Sequence, residues 1–197
     1  MSAHTYRHLP RRDFLRMAGL TAVGGSAVFA AACDGGDEDD RATTTGPEGS
    51  EADVKILNSA LDLENTAIAL YTAGVELLRG KALEGGRQFL RQEQEHAEGL
   101  SRAIKELGGT PTKAKSAEEY ARGFPTLSDQ TDVLRFAVDL ENTAVAAYTD
   151  AIPKLSAGRL RQTAGGINAN EAEHISVLLG LLQRPQVPDA FVTGKAG

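Results

Sequence analysis

Six residues of this 197-residue chain sit where aliphatic side chains would be expected: Glu64, Glu93, His96, Glu141, Glu171 and His174. Each interrupts a run of apolar residues spaced three and four apart, the spacing of a helix face turned towards a partner. A carboxylate buried alone on such a face costs several kcal/mol, and four facing one another would also repel. No Lys or Arg appears on any of these faces to compensate. The only bases there are His96 and His174, each three residues after a glutamate and so on the same helix face. A pair of divalent metal ions supplies the missing positive charge. The histidine inventory agrees: the chain has four, and His4 and His8 lie near the N-terminus. A single Glu-x-x-His is commonplace on surface helices. Two copies alternating with two lone seam glutamates make a ligand set. Four carboxylates and two imidazoles suit Fe or Mn better than Zn or Cu, which favour fewer or softer donors.

Four long helices must position these groups. The first carries Leu57, Leu61, Glu64, Ile68, Tyr71, Val75 and Leu78, and the third repeats it as Leu134, Val138, Glu141, Val145, Tyr148, Ile152 and Leu155. The second offers Phe89, Glu93, His96, Leu100, Ala103 and Leu107; the fourth offers Leu160, Ala164, Ile167, Glu171, His174, Leu178 and Leu181. Ser50 with Asp53 reads as a capping-box start to the first helix, and Ser128 as the N-cap of the third. Gly108-Gly109-Thr110-Pro111 and Gln183-Arg184-Pro185 stop the second and fourth. Pro153 ends or kinks the third near Ile152.

The chain is also a duplication. Leu61-Asp62-Leu63-Glu64-Asn65-Thr66-Ala67 returns as Val138-Asp139-Leu140-Glu141-Asn142-Thr143-Ala144, and Glu93-Gln94-Glu95-His96 returns as Glu171-Ala172-Glu173-His174. Short turns near Gly80 and Ala157 make each half an antiparallel hairpin. Gly109 to Leu127 is long enough to run the length of the bundle, with one short helix around Ser116 to Arg122. The expected fold is all-α: a four-helix bundle of two antiparallel hairpins joined by one long crossover.

This ordered set, Glu, Glu-x-x-His, Glu, Glu-x-x-His, resembles the ferritin-like di-iron carboxylate superfamily over roughly Ala52 to Gln183. The resemblance implies that Glu64 and Glu141 are terminal ligands, one for each metal. It implies that Glu93 and Glu171 bridge the pair, and that His96 and His174 bind one metal each. Tyr71 and Tyr148, seven residues after the lone glutamates, take positions where relatives place a tyrosine near the metals. A redox role and a plain core role with a satisfied hydroxyl both stand for them. Relatives often carry an Asp just before each bridging Glu to orient a ligand histidine; here Gln92 and Asn170 stand there. Glu95 and Glu173 point some 200° away from the bridging glutamates and are expected in solvent, as are Asp62 and Asp139.

The implied activity is oxidation of bound Fe(II) by O2 or peroxide, with two Fe ions as cofactor and Mn as an alternative. Other readings are a non-enzymatic metal-binding or stress-protection protein and a manganese catalase-like peroxide dismutase. Cys33 is the only cysteine, so no four-cysteine electron-transfer centre is available. Both methionines, Met1 and Met17, precede the bundle, which removes methionine ligation of haem. The tail after Leu182 is too short for the fifth helix of cage ferritins, so a small oligomer is admissible but no storage shell is expected. A net charge of -6 without a basic stripe argues against a nucleic-acid partner.

Residues 1–32 read as a twin-arginine signal: Arg11-Arg12-Asp13-Phe14-Leu15-Arg16, then a short apolar stretch from Met17 to Ala32. Ala30-x-Ala32 suits an ordinary signal peptidase, whereas small residues before Cys33 resemble a lipobox in which Cys33 is acylated. The second reading explains the lone cysteine. It places the protein in the cell envelope, anchored to the membrane through that lipid. Residues 33–50, acidic and then rich in Thr, Gly and Pro, read as a flexible tether, 51–184 as the bundle and 185–197 as a tail.

Overall fold

A computed structural model of the chain describes residues 47–194. The signal segment, Cys33 and most of the expected tether lie outside the described residues. Those described form α1 (Pro47–Gly74), α2 (Gly80–Glu106), α3 (Ala117–Ala121), α4 (Gln130–Ala151) and α5 (Gly158–Leu181), with a 3-10 turn at Ile152–Lys154. None of these helices is long and apolar enough to cross a membrane. α1 packs most closely on α2, and α4 on α5; the two hairpins meet through α1 against α4 and α2 against α5. This is the expected four-helix bundle.

Helix ends follow local chemistry, in places not as the sequence suggests. α1 starts at Pro47, before Ser50, so neither Ser50 nor Asp53 caps it. Ser50 Oγ instead donates to the Leu107 carbonyl at the far end of α2. Asp53 is buried and accepts from the backbone N–H and hydroxyl of Ser156, tying α1 to the turn between α4 and α5. At α4 the cap is Asp129 rather than Ser128. Asp129 has the extended backbone, and its carboxylate accepts from Asp132 N–H at 3.0 Å, while Ser128 N–H donates to the Asp132 side chain. Pro153 has no N–H to give, and α4 ends two residues before it, tightening into the 3-10 turn. Leu155 lies just past that turn and is still buried in the core. α1 likewise stops at Gly74, so Val75 and Leu78 lie in the turn to α2, with Leu78 buried.

The connection between the hairpins climbs the outer side of α1. The left-handed Gly108 (φ +78°) closes α2, its N–H donating to Lys105 O and that of Gly109 to Ile104 O. Asn58 then holds the chain through the Thr110 carbonyl and the N–H and hydroxyl of Thr112. One turn further, Asp62 accepts from Lys115 Nζ at 2.8 Å and Tyr120 OH at 3.1 Å. Asp62 is thus only partly in solvent, whereas its repeat, Asp139, is exposed as expected. Helix α3 is fixed by a capping box between Ser116 and Glu119.

The apolar core falls into two clusters. One gathers Leu70, Leu78, Phe89, Leu134, Val138 and Leu178; the other gathers Leu57, Leu61, Leu100, Leu155, Leu160 and Ile167. Along α1, α2 and α5 the break between their buried members falls at Glu64, Glu93 or Glu171; on α4, Val145 beyond Glu141 still belongs to the first cluster and the second begins at Tyr148. The bundle carries its polar layer at mid-height, with apolar packing above and below to keep water out. After α5, residues to Gly194 lie over the groove between α4 and α5, against Val138, Asn142, Ile175 and Leu179.

Candidate metal centre

All six residues singled out by spacing converge in that layer. Glu64, Glu93, Glu141, Glu171 and His174 are buried; His96 is 12% exposed. His96 Nδ1 lies 3.4 Å from Glu64, 3.5 Å from Glu93 Oε2 and 3.1 Å from Glu171 Oε1. His174 Nδ1 lies 3.1 Å from Glu93 Oε1, 3.4 Å from Glu141 and 3.2 Å from Glu171 Oε2. Glu93 and Glu171 therefore each turn one oxygen to one histidine and the other oxygen to the other. Glu64 and Glu141 each serve one side. The result is two overlapping donor sets able to hold a metal ion, Glu64/Glu93/His96/Glu171 and Glu93/Glu141/Glu171/His174. The two imidazoles face each other, ring centres 6.4 Å apart.

Tyr71 and Tyr148 brace the layer crosswise. Tyr71 OH, from the first hairpin, donates to Glu141 of the second, and Tyr148 OH donates back to Glu64. Burial, reinforced by the neighbouring carboxylates, holds both phenols well above their usual range, so both stay neutral donors. Glu95 and Glu173 are exposed, as expected.

The metal-free layer balances its charge by sharing protons. Burial pushes Glu64 up to about 8 and Glu141 well above the usual carboxylate range. Burial would also raise Glu93 and Glu171, but the attraction of the two adjacent imidazoles outweighs it; Glu93 is lowered and Glu171 falls to about 2. The histidines move oppositely. Burial alone would lower them, yet Glu171, Glu64 and Glu93 raise His96 to about 12, and Glu141, Glu171 and Glu93 raise His174 to about 11. Two imidazolium ions thus offset two carboxylates, while Glu64 and Glu141 hold protons.

The donor set fits a pair of divalent cations. Glu93 Oε1, both oxygens of Glu171 and the Nδ1 atoms of both histidines are buried without a hydrogen-bond partner. Buried polar atoms are nearly always paired, and these five all point at one centre. Spacing alone did not find the group that orients His174. Gln92 Oε1 sits 3.0 Å from its Nε2, reaching across from α2 to α5. Gln92 stood out only as a departure from the expected Asp, and nothing in the sequence says which facing helix it reaches.

A description of the family "Ferritin-like domain" matches residues 52–184. The chain belongs to this ferritin-like family. No curated protein sequence matches it. Among solved structures it is similar to a ferritin-like, diiron-carboxylate protein from Bacillus anthracis, with 24% identity over 68% of this chain and 97% of that one, TM-score 0.60. It is similar too to a dodecameric thioferritin, the bacterioferritin-related protein of Bacteroides fragilis, with 23% identity over 68% and 86%, TM-score 0.60. A conserved hypothetical protein of Mycobacterium tuberculosis aligns at 19% identity over 66% and 97%, TM-score 0.60. At these identities the likeness establishes the fold.

Proposed function

We propose that the protein binds two iron ions between its four glutamates and two histidines and oxidises Fe(II) with O2 or peroxide. The observation that carries this reading is the sharing of Glu93 and Glu171, whose oxygens divide between His96 and His174 with no other partner for most of them. The di-iron carboxylate neighbour from Bacillus anthracis supports it. Glu64 with His96, and Glu141 with His174, complete one position each; Mn would fit the same donors.

When bound, a pair of Fe(II) ions supplies two electrons, enough with two protons to reduce one peroxide to two waters. The chain does the rest. The apolar clusters exclude water, Tyr71 and Tyr148 hold the terminal carboxylates in place, and the two histidines with Glu64 and Glu141 give up protons as metal arrives. Residues 1–32 direct export by the twin-arginine route, and the segment before Pro47 tethers the bundle of residues 51–184 to a membrane through acylated Cys33. On this reading the bundle works in the cell envelope.

The test is an anaerobic Fe(II) titration of the purified protein, followed by rapid mixing with O2 or peroxide under stopped-flow absorbance. Two Fe(II) per chain and fast ferric absorbance are expected. Two ions bound without oxidation would turn the reading to metal sequestration, and rapid peroxide dismutation with Mn alone would turn it to a catalase-like one. No stoichiometric binding would overturn it.

A further inference from the structure

The duplicated halves do not treat their histidines alike. Gln92 and Asn170 are repeats of one another, each immediately before a bridging glutamate and 78 positions apart, as are His96 and His174. Gln92 reaches across to His174 Nε2 at 3.0 Å. Asn170 does not return the contact: its amide donates to Glu173 on its own helix, at 3.1 Å. Phe89 lies over the His174 ring, centroids 4.2 Å apart, and its repeat is the smaller Ile167. His174 is accordingly 1% exposed and His96 12%.

We infer that Gln92 is a positioning residue that makes the two metal positions inequivalent, the His174 position binding first and tightly and the His96 position exchanging its ion with solution. The carbonyl oxygen of Gln92 accepts from Nε2, so His174 keeps that proton and Nδ1, facing the shared carboxylates, is the nitrogen left to bind metal. That contact fixes the ring angle before metal arrives and decides which nitrogen is freed for it. His96 has no such contact among the described residues and must order its ring as the ion binds, on the more exposed side of the layer. The inference rests on the metal-pair reading above.

Co(II) serves as probe, with stepwise affinity measured by absorbance. The hyperfine-shifted N–H protons of the ligated histidines are followed by NMR in H2O. The first equivalent is expected to bind at least ~10-fold tighter than the second and to bring up one slowly exchanging N–H, that of His174 bonded to Gln92. The second should bring up one fast-exchanging N–H. Gln92→Leu should weaken the first step ~10–100-fold, the usual effect of losing an outer-sphere partner, spare the second, and make the slow proton fast. Gln92→Glu, which keeps an acceptor at the same reach, should restore both readouts. Equal affinities with equally exchanging protons, or equal weakening of both steps in Gln92→Leu, would overturn the inference while leaving the metal pair standing. A folded wild-type protein that binds no Co(II) would overturn both.

Discussion

The two hairpins carry the same residues at the centre and different ones around it. Glu64 and Glu141, Glu93 and Glu171, His96 and His174, Tyr71 and Tyr148 repeat one for one, and the tyrosine braces cross between halves in matching fashion. One layer out the repeat fails. Gln92 crosses to the other hairpin and Asn170 stays on its own helix; Asp62 anchors the crossover and Asp139 stands in solvent. On the proposed reading the centre is two-fold symmetric because two like ions would be met by like donors. The surroundings do not, since a single connection can run along only one side of the bundle. Duplication supplied a symmetric site, and the crossover could serve only α1.

The largest expected effect separates shared ligands from unshared ones. Glu93→Ala or Glu171→Ala removes an oxygen from both donor sets at once, so each should lose both ions, weakening binding well beyond the ~10–100-fold that outer-sphere losses cost. Glu64→Ala should release only the ion beside His96, and Glu141→Ala only the ion beside His174. Metal content per chain after dialysis, by elemental analysis, distinguishes zero from one. Two ions retained in Glu93→Ala would break the assignment of that residue as a bridge.

The second effect concerns protons, and here the halves should behave alike. Around pH 7 the metal-free layer holds about four protons that ligation must displace, one each on Glu64, Glu141, His96 and His174. Calorimetry in buffers of different ionisation enthalpy should find about four released for two ions bound, and affinity should rise with pH. The sign for the metal-free fold is opposite. The folded state holds the Glu64 proton up to about 8 against an ordinary 4.5, and the His96 proton up to about 12 against 6.5. Between those limits it binds more protons than the unfolded chain, so stability falls as pH rises from 4.5 through 12. The melting temperature without metal should drop from pH 5 to pH 9, while the increment added by metal grows. Net uptake of protons on binding would contradict the charge assignment of both halves.

The symmetric part of the molecule is the part that was legible in the sequence. A glutamate on a leucine seam is conspicuous because helical period places it inside, and its repeat 77 or 78 residues on confirms the face. Pro153 and Gly108 stop helices by backbone chemistry that needs no partner. The groups that escaped notice act between distant elements. Asp53 looked like a helix cap because caps are local, but its partner is Ser156, 103 residues away. Asp62 looked like surface because nothing nearby explains it, yet Tyr120 on the crossover does. Spacing within one helix reports which way a side chain faces, and says nothing of what another helix brings to meet it.

The smallest effect tests that lesson on the repeated aspartates. Asp62→Ala removes the acceptor of the half-buried Tyr120 hydroxyl, a hydrogen bond worth about 1 kcal/mol, and frees an exposed lysine whose attraction salt already screens. Asp139→Ala removes an exposed carboxylate that makes no hydrogen bond or ion pair among the described residues and should leave the unfolding midpoint unchanged. Denaturant unfolding of the metal-free protein would show the difference, and hydrogen exchange should locate it, with faster exchange at the Ala117–Ala121 helix in Asp62→Ala alone. Metal stoichiometry should stay at two in both variants, because neither residue reaches the carboxylate layer. Equal loss in the two variants would mean that the crossover draws its hold from Asn58 and its apolar contacts instead, and that the asymmetry of the aspartates has no energetic weight.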